Sequence, residues 1–165
     1  MLNVLPGQAT DPDPAHLATG VGLDADLSWS PGVLATSHRV HFGPSSPPEF
    51  KIAQAATTYD PGPLRLGTTC YWRIDEAGQW DTTTGNEWSF TTARYRGDVN
   101  DDGRVDQEGF GLLQACLSGQ GVPQSDPACV RANLDDDNDV DQDDLTIFLQ
   151  CTSGPAASPP LACLF

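Results

Sequence analysis

Two acidic stretches decide the organisation of this chain: Asp98-Val-Asn-Asp-Asp-Gly-Arg-Val-Asp106 and Asn133-Leu-Asp-Asp-Asp-Asn-Asp-Val-Asp-Gln-Asp-Asp144. In each, a carboxylate or amide stands at positions 1, 3, 5 and 9, a turn residue is sixth and an apolar residue is eighth. Calcium takes about six to eight oxygens, and a twelve-residue loop supplies them from positions 1, 3, 5, 7, 9 and 12. Two copies in one chain argue against a chance pattern, so the stretches predict two calcium-binding loops.

The two loops belong to an internal repeat, because a shift of 35 residues aligns the end of the chain with itself. Such self-similarity indicates a repeated structural unit. Apolar residues after each loop recur at three- and four-residue spacing, which predicts an amphipathic helix of about three turns ending near a glycine. The helix residues are Phe110, Leu113 and Leu117 in the first repeat, and Leu145, Phe148 and Leu149 in the second.

The second loop has an oxygen donor at every required position. Its predicted ligands are the side chains of Asn133, Asp135 and Asp137, the backbone carbonyl of Asp139, Asp141 directly or through water, and the closing carboxylate of Asp144. Asn138 is acceptable at position six because asparagine tolerates the left-handed conformation that glycine usually supplies there.

The first loop is incomplete. Its predicted ligands are the side chains of Asp98, Asn100, Asp102 and Asp106, with the backbone carbonyl of Arg104. Position twelve is Gly109, and Glu108 stands one residue early, so it reaches an ion only if the loop adjusts. We therefore expect two Ca²⁺ sites, of which the first binds more weakly or keeps an extra water. The alternative is a pair of solvated acidic turns without metal.

Four cysteines occupy corresponding places in the two repeats: Cys116 and Cys129, then Cys151 and Cys163. Each pair would tie a helix end to the irregular segment after it. Paired disulfides are typical of an oxidising, extracytoplasmic setting. Free thiols are one alternative, and a zinc site is another, although no Cys-x-x-Cys pair supports zinc.

The net charge of −15 is unevenly distributed, because residues 97–165 carry most of the acidic side chains with only Arg104 and Arg131 as bases. Such a surface would repel nucleic acid and anionic membranes. No apolar run is long enough to span a bilayer, so we expect no membrane insertion. The start, Met1–Leu5, lacks the features of a signal peptide, which suggests that a signal was removed or that the chain is a piece of a longer secreted protein.

The first half reads as an antiparallel sandwich, because short runs of alternating apolar residues are separated by turn signals. Its motifs resemble a fibronectin type III-like domain over residues 8–93. They are Leu27-Ser-Trp-Ser-Pro-Gly, Ser37-His-Arg-Val-His-Phe-Gly, Tyr59-Asp-Pro-Gly, Gly67-Thr-Thr-Cys-Tyr-Trp-Arg-Ile-Asp-Glu and Glu87-Trp-Ser-Phe-Thr-Thr. Cys70 stands where that family has a tyrosine, and we expect it to be a small buried core residue.

The second half resembles the dockerin type I module over residues 97–154, a family of two tandem loop–helix repeats, each like the second half of an EF-hand. This resemblance implies calcium binding and docking onto a cohesin domain or a related partner. Gln107-Glu108 and Gln142-Asp143 stand where cellulosomal dockerins commonly have a small hydroxyl pair.

We therefore expect a multi-domain chain. An all-β, immunoglobulin-like (fibronectin type III-like) sandwich occupies residues 1–94, and a small α-helical dockerin-like module with two EF-hand-type calcium loops occupies residues 97–165. No catalytic centre is expected in the sandwich, because His38 and His41, like Asp75 and Glu76, should face opposite sides of a sheet.

Three functions fit the sequence. The leading one is a non-enzymatic calcium-binding module, extracellular or at the cell surface, for protein–protein docking, adhesion or spacing. Its partner would be a cohesin-like protein or a neighbouring copy of the chain. The second is a protomer of a self-assembling fibre or surface layer, suggested by the apolar stretches Met1–Leu5 and Leu161–Phe165. The third is a carbohydrate-binding accessory module of a secreted hydrolase, suggested by Trp80 in a predicted loop.

Overall fold

The computed structural model describes residues 4–153 and 157–165. The chain divides into two compact units, Met1–Ala93 and Arg94–Phe165. In the described ranges, the first unit consists of strands and the second contains the α-helices. None of the helices described is both long enough and apolar enough to cross a membrane.

The first unit is a β-sandwich, as the alternating apolar pattern predicts. Its strands are β1 (Thr10–Asp13), β2 (Ala18–Val21), β3 (Leu27–Ser30), β4 (Ser37–Gly43), β5 (Phe50–Gln54), β6 (Thr58–Tyr59), β7 (Thr69–Ala77), β8 (Thr82–Thr83) and β9 (Glu87–Thr92). One sheet has the order β1-β3-β6, and the other has the order β2-β9-β7-β4-β5 with β8 paired to β7. The pairing is antiparallel except between β2 and β9.

The sandwich core follows from the alternation of side chains along each strand. On β7, Trp72 and Ile74 are fully buried, and Trp72 lies opposite Trp88 of β9 with ring centroids 4.7 Å apart. Phe50 and Ile52 of β5 are 49% and 43% exposed. They are less covered because β5 is an edge strand that pairs only with β4.

Cys70 is a buried free cysteine, which confirms the expected core role. Its thiol lies on β7 opposite Phe90 of β9. Burial raises the pKa of the Cys70 thiol, because the thiolate would lose its hydration there. The thiol is therefore held in its unreactive, protonated form.

The second unit contains the two predicted helices, α1 (Gln107–Cys116) and α2 (Gln142–Cys151). Each begins after a loop aspartate whose carboxylate accepts a backbone N–H of the first turn, and these caps are Asp106 and Asp141. Such capping satisfies donors that the first turn leaves free. Helix α1 ends one residue before Leu117, which is 47% exposed, and Leu149 is 59% exposed. The buried helix face therefore includes Leu113 and Phe148 but neither of those leucines.

The two repeats interlock through equivalent backbone hydrogen bonds. Ser118 N donates to Val140 O at 2.9 Å, and Ser153 N donates to Val105 O at 2.8 Å. Each bond joins the eighth residue of one loop to the second residue after the helix of the other repeat. Val105 and Val140 are both fully buried in the core of this unit. The repeat seen in the sequence is therefore also a repeat of tertiary contacts.

The predicted cysteine pairs are disulfides in the structure, Cys116–Cys129 and Cys151–Cys163. Each joins the last residue of a helix to a short 3₁₀ turn, Pro127–Cys129 or Leu161–Cys163. A closed loop of this size contributes on the order of 3 kcal/mol by restricting the unfolded chain. A unit of this size buries a limited core, so these links supply part of its stability.

Candidate metal centre

Three carboxylates of loop two converge. Asp139, Asp141 and Asp144 each place one oxygen so that the three atoms lie within 4.8 Å of one another, and this is the one such acidic, histidine or cysteine cluster in residues 4–153 and 157–165. Two oxygens on opposite sides of a calcium ion stand about 4.8 Å apart, since each bond is about 2.4 Å long. The spacing therefore suits one calcium-sized ion.

The cluster is buried, and Asp144 closes it. Asp139 is 5% exposed, Asp141 8% and Asp144 0%. The Asp144 carboxylate accepts N–H groups from both ends of the loop, Leu134 N at 2.5 Å and Asp141 N at 2.8 Å. The side chain at position twelve thus holds the start of the loop against the start of helix α2.

Two buried acceptors in this loop lack a hydrogen-bond donor, Asn133 Oδ1 and Asp139 Oδ1. The other atoms of these side chains are engaged, because Asn133 Nδ2 donates to Asp137 O at 2.7 Å and Asp139 Oδ2 accepts Gly121 N at 2.6 Å. A buried oxygen without a donor is costly. Both atoms belong to predicted ligand residues, so the donor set fits a cation that would satisfy them.

The remaining predicted ligands of loop two lie outside the cluster. Asp135 and Asp137 are exposed, and each accepts the backbone N–H two residues further on, at 3.3 and 2.8 Å. Asp139 brings its carboxylate into the cluster, where the sequence predicted only its backbone carbonyl.

The left-handed residue of loop two is Asp136, with φ 64°, and not Asn138 as expected. The carbonyl of Asn138 accepts Gln124 N at 2.9 Å, which ties this part of the loop to the preceding segment. The fourth position of loop one, Asp101, shares the left-handed conformation with φ 59°. The two loops therefore turn alike at position four but differ at position six, where Gly103 has φ 80°.

Loop one satisfies its carboxylates within its own backbone. Asp98 is 5% exposed and accepts Asp102 N at 3.1 Å and Gly103 N at 2.9 Å. Asp102 accepts Arg104 N at 2.9 Å, and Asp106 accepts Glu108 N at 2.9 Å. Unlike the loop-two residues, these side chains do not gather three oxygens within 4.8 Å. Asn100, also predicted as a ligand, donates its amide to Asp102 at 3.2 Å.

Position twelve of loop one has no carboxylate and little room for one. Gly109 is buried, and a Cβ placed on it would stand 3.3 Å from Gly97 O and 3.6 Å from the Phe148 ring. Glu108, the predicted substitute, is exposed. Its backbone N–H donates to the side chain of Asp106, the N-cap of helix α1. No hydrogen bond of the Glu108 side chain is found among the described residues.

A guanidinium supplies positive charge to loop one. Arg131 forms an ion pair with Asp101. Burial raises the pKa of the Asp98 carboxyl, although hydrogen bonds from Gly103 and Asp102 and the charge of Arg131 act in the opposite direction. Burial also lowers the pKa of Arg131, as does neighbouring Arg94, and Asp98 opposes both. No basic side chain among the described residues pairs with Asp139, Asp141 or Asp144.

The sandwich holds two polar clusters that sequence reasoning missed. His38 Nδ1 lies 2.5 Å from Glu76 Oε2 inside the sandwich, where both side chains are buried. On the other side of the same strands, His41 Nε2 lies 3.0 Å from Asp75 Oδ2, and Arg73 binds the same carboxylate. The two histidines do separate as expected, and each meets a carboxylate across the β4–β7 pairing. Neither cluster gathers three histidine, cysteine, aspartate or glutamate ligands for a metal in the part of the chain described.

Trp80 is 75% exposed in the segment between β7 and β8. Its ring lines a cavity of about 360 Å³ together with Val4, Leu34, Thr36 and Gln79, among other residues. The predicted loop position of this tryptophan is therefore correct, and the cavity beside it combines apolar and amide surface.

Known structures are similar to this chain over about half of its length. No protein-family model matches the chain, and no curated protein matches it. A solved Fn3-like protein from Clostridium thermocellum aligns at 23% identity with a TM-score of 0.42, covering 52% of this chain and 91% of that protein. The twitchin kinase region from C. elegans aligns at 16% identity with a TM-score of 0.37, covering 51% of this chain and 16% of that chain. Both alignments leave about half of this chain uncovered.

Proposed function

We propose that the chain is a non-enzymatic extracellular protein whose second unit is a calcium-binding module of the dockerin type, with loop two as its principal site. The observation that carries this proposal is the buried cluster of Asp139, Asp141 and Asp144, which pairs with no basic side chain among the described residues. Three carboxylates held this closely repel one another, and burial removes the water that would screen them. A bound cation would supply the counter-charge for this cluster.

The residues that would hold calcium are Asn133, Asp139, Asp141 and Asp144, through side-chain oxygens. Calcium accepts carboxylate and amide oxygens in a flexible shell, with water completing the coordination. When bound, it supplies the charge that turns mutual repulsion into attraction. The site forms only on folding, because its ligands come from the whole length of the loop, so the free energy of binding adds to the free energy of folding.

Calcium titration tests the proposal. We expect calcium to bind and to raise the melting temperature of the Arg94–Phe165 unit by on the order of 10 °C at a hundredfold excess over the dissociation constant. Far-ultraviolet circular dichroism follows its helices, while tryptophan fluorescence follows the other unit, which contains all four tryptophans. The fluorescence transition serves as the internal control and should not move. If chelator leaves both transitions unchanged, calcium has no structural role.

Docking, adhesion or spacing is the role we propose for the two units together. The disulfides support an oxidising compartment, extracellular or at the cell surface. A cohesin-like protein or a neighbouring copy remains the proposed partner of the calcium module. The net charge of −15 favours a partner with a basic or calcium-bridged surface over nucleic acid.

Carbohydrate binding by the sandwich is the second candidate, and the exposed ring of Trp80 beside its cavity favours it. The flat face of a pyranose stacks on an exposed indole, and an amide such as Gln79 can bond the ring hydroxyls. A cavity of about 360 Å³ is near the lower end of the range of small-ligand sites.

A glycan array probed with the intact chain tests this candidate. We expect Trp80→Ala to remove binding to any glycan that the chain retains. Phe50→Ala is the matched control, since Phe50 is an exposed aromatic elsewhere in the same unit. Equal loss in both variants, or no retained glycan at all, would count against a sugar site at Trp80.

The assembly hypothesis remains a proposal, with one added condition. Leu164 pairs with Tyr95 in an antiparallel bridge, and Phe165 lies near the guanidinium groups of Arg94 and Arg96. If Leu161–Phe165 paired as a strand with a neighbouring chain, these contacts would first have to break. Residues 1–3 of the other apolar stretch lie outside the described ranges, while Val4 and Leu5 are exposed.

A further inference from the structure

Each loop is preceded by an arginine, and the two arginines cross between the repeats. Arg96 and Arg131 are related by the same shift of 35 residues that relates the loops. Arg131 pairs with Asp101, the fourth residue of loop one. Arg96 Nη2 lies 3.9 Å from Asp136 Oδ2, the fourth residue of loop two. Each repeat therefore sends a guanidinium to the same position of the other loop.

This exchange is unequal. Arg96 is held elsewhere, because its Nη1 donates to Leu134 O at 3.1 Å and its guanidinium lies 5.1 Å from the Phe165 ring centroid. Its partner Asp136 has a side chain that is 82% exposed, so solvent screens this pair. The Arg131–Asp101 pair is less exposed on its acidic side, where the Asp101 side chain is 40% exposed, and the charge of Arg131 also acts on buried Asp98. Among the described residues, the arginine at loop one therefore acts on a buried carboxylate of its loop, whereas the arginine at loop two pairs with an exposed one.

Loop one lacks the features that favour calcium in loop two. Both oxygens of Asp98 accept backbone N–H groups, and loop one, all of it described, has no buried acceptor without a donor like Asn133 Oδ1 and Asp139 Oδ1 in loop two. Gly109 brings no closing carboxylate, and Gly97 O and the Phe148 ring stand close to where one would begin. Its one buried carboxylate, Asp98, is instead held by backbone N–H groups and by the charge of Arg131.

We infer that Arg131 is a built-in counter-ion of loop one, so that the chain binds one calcium ion, in loop two, and keeps loop one closed by an internal ion pair. This inference rests on the proposed function, since it assigns the one ion to loop two. The second repeat thereby stabilises the first loop with its own side chain, and the first loop needs no metal to keep its shape.

The test counts bound ions by native mass spectrometry and calorimetry with calcium alone. We expect one ion per wild-type chain. We expect the Arg131→Gln variant to bind a second ion, because the loop has lost a positive charge. This second ion should bind at least about tenfold more tightly than any second ion binds to the wild type. Arg131→Met also removes the charge but keeps the apolar stem of the side chain. It should give the same result, and it replaces the glutamine variant if that variant folds poorly. Arg96→Gln, the same change at the equivalent arginine, should leave the count at one.

Adding Asp98→Asn to Arg131→Gln assigns the new ion, which should then disappear. Two ions of similar affinity on the wild-type chain would overturn the inference, and so would a count that neither Arg131 variant changes. The proposed function has a separate point of failure. A wild type without calcium, beside an Arg131→Gln variant that binds one ion, would refute the loop-two proposal and still support the role of Arg131.

Discussion

Asp144→Ala is expected to abolish the response of the Arg94–Phe165 unit to calcium and to leave that unit largely unfolded in the presence of the ion. The side chain is fully buried and accepts Leu134 N and Asp141 N. Leaving two buried N–H groups without an acceptor costs about 2–6 kcal/mol in total. Small domains are stable by about 5–15 kcal/mol, so this loss, together with the loss of bound calcium, removes much of the margin.

The effect of this substitution should depend on calcium, and the dependence distinguishes a metal ligand from a structural cap. Without calcium, removing one of three clustered carboxylates also relieves repulsion, so part of the hydrogen-bond loss is offset. With calcium, no such relief exists and the ligand itself is lost. The difference in melting temperature between wild type and variant should therefore be larger in calcium than in chelator.

Asp143→Ala is the matched control for Asp144→Ala. Asp143 is the neighbouring residue in the first turn of α2, but it is exposed and lies outside the cluster. Its loss should remove only a favourable charge near the helix start, about 0.3–1 kcal/mol, with or without calcium. Circular dichroism melts of both variants, each in calcium and in chelator, make the comparison. An equal penalty for Asp144→Ala in both conditions would show that its carboxylate is a cap alone.

The parts of the fold that sequence could predict are those with a local signal. The alternation of apolar and polar residues predicted that Trp72 and Ile74 lie in a buried strand, and the three- and four-residue spacing of apolar residues predicted the two helices. Both periodicities follow directly from the geometry of a single strand or helix. The cysteine pairs were predictable because the repeat placed them equivalently. Leu149 shows the limit of such patterns, because it fits the helix periodicity yet is 59% exposed. Which side of a short helix is covered depends on its neighbours.

At the metal centre, spacing predicted the loops but not the orientation of every ligand. The carboxylate of Asp139 joins the cluster because Gly121, from another segment, binds its second oxygen. The pairing of Arg131 with Asp101 likewise depends on how the two repeats pack. The contact between His38 and Glu76 requires the register of β4 against β7. None of these contacts leaves a local trace in sequence, because each joins residues far apart in the chain.

The buried pair of His38 and Glu76 underlies the second large expected effect, in the sandwich. Glu76 is fully buried at 0% exposure, lies 2.5 Å from His38 Nδ1 and accepts Gly32 N at 3.0 Å. Glu76→Ala removes the partner of a buried histidine and of a loop N–H together. Each buried donor left without an acceptor costs about 1–3 kcal/mol, so the loss of both contacts costs about 2–6 kcal/mol.

Urea unfolding followed by tryptophan fluorescence measures this loss, since the His38 ring lies edge-on to Trp29 with centroids 5.5 Å apart. Glu76→Gln should be much milder, because the amide keeps the shape and can still bond both partners. Glu49→Ala is the control, as its side chain is 76% exposed and pairs only with Lys51 among the described residues, an ion pair worth at most about 1 kcal/mol. If Glu76→Ala were as stable as Glu49→Ala, the buried pair would contribute nothing to the sandwich. A large gap between the alanine and glutamine variants would instead locate the stabilisation in the hydrogen bonds and not in the charge of Glu76.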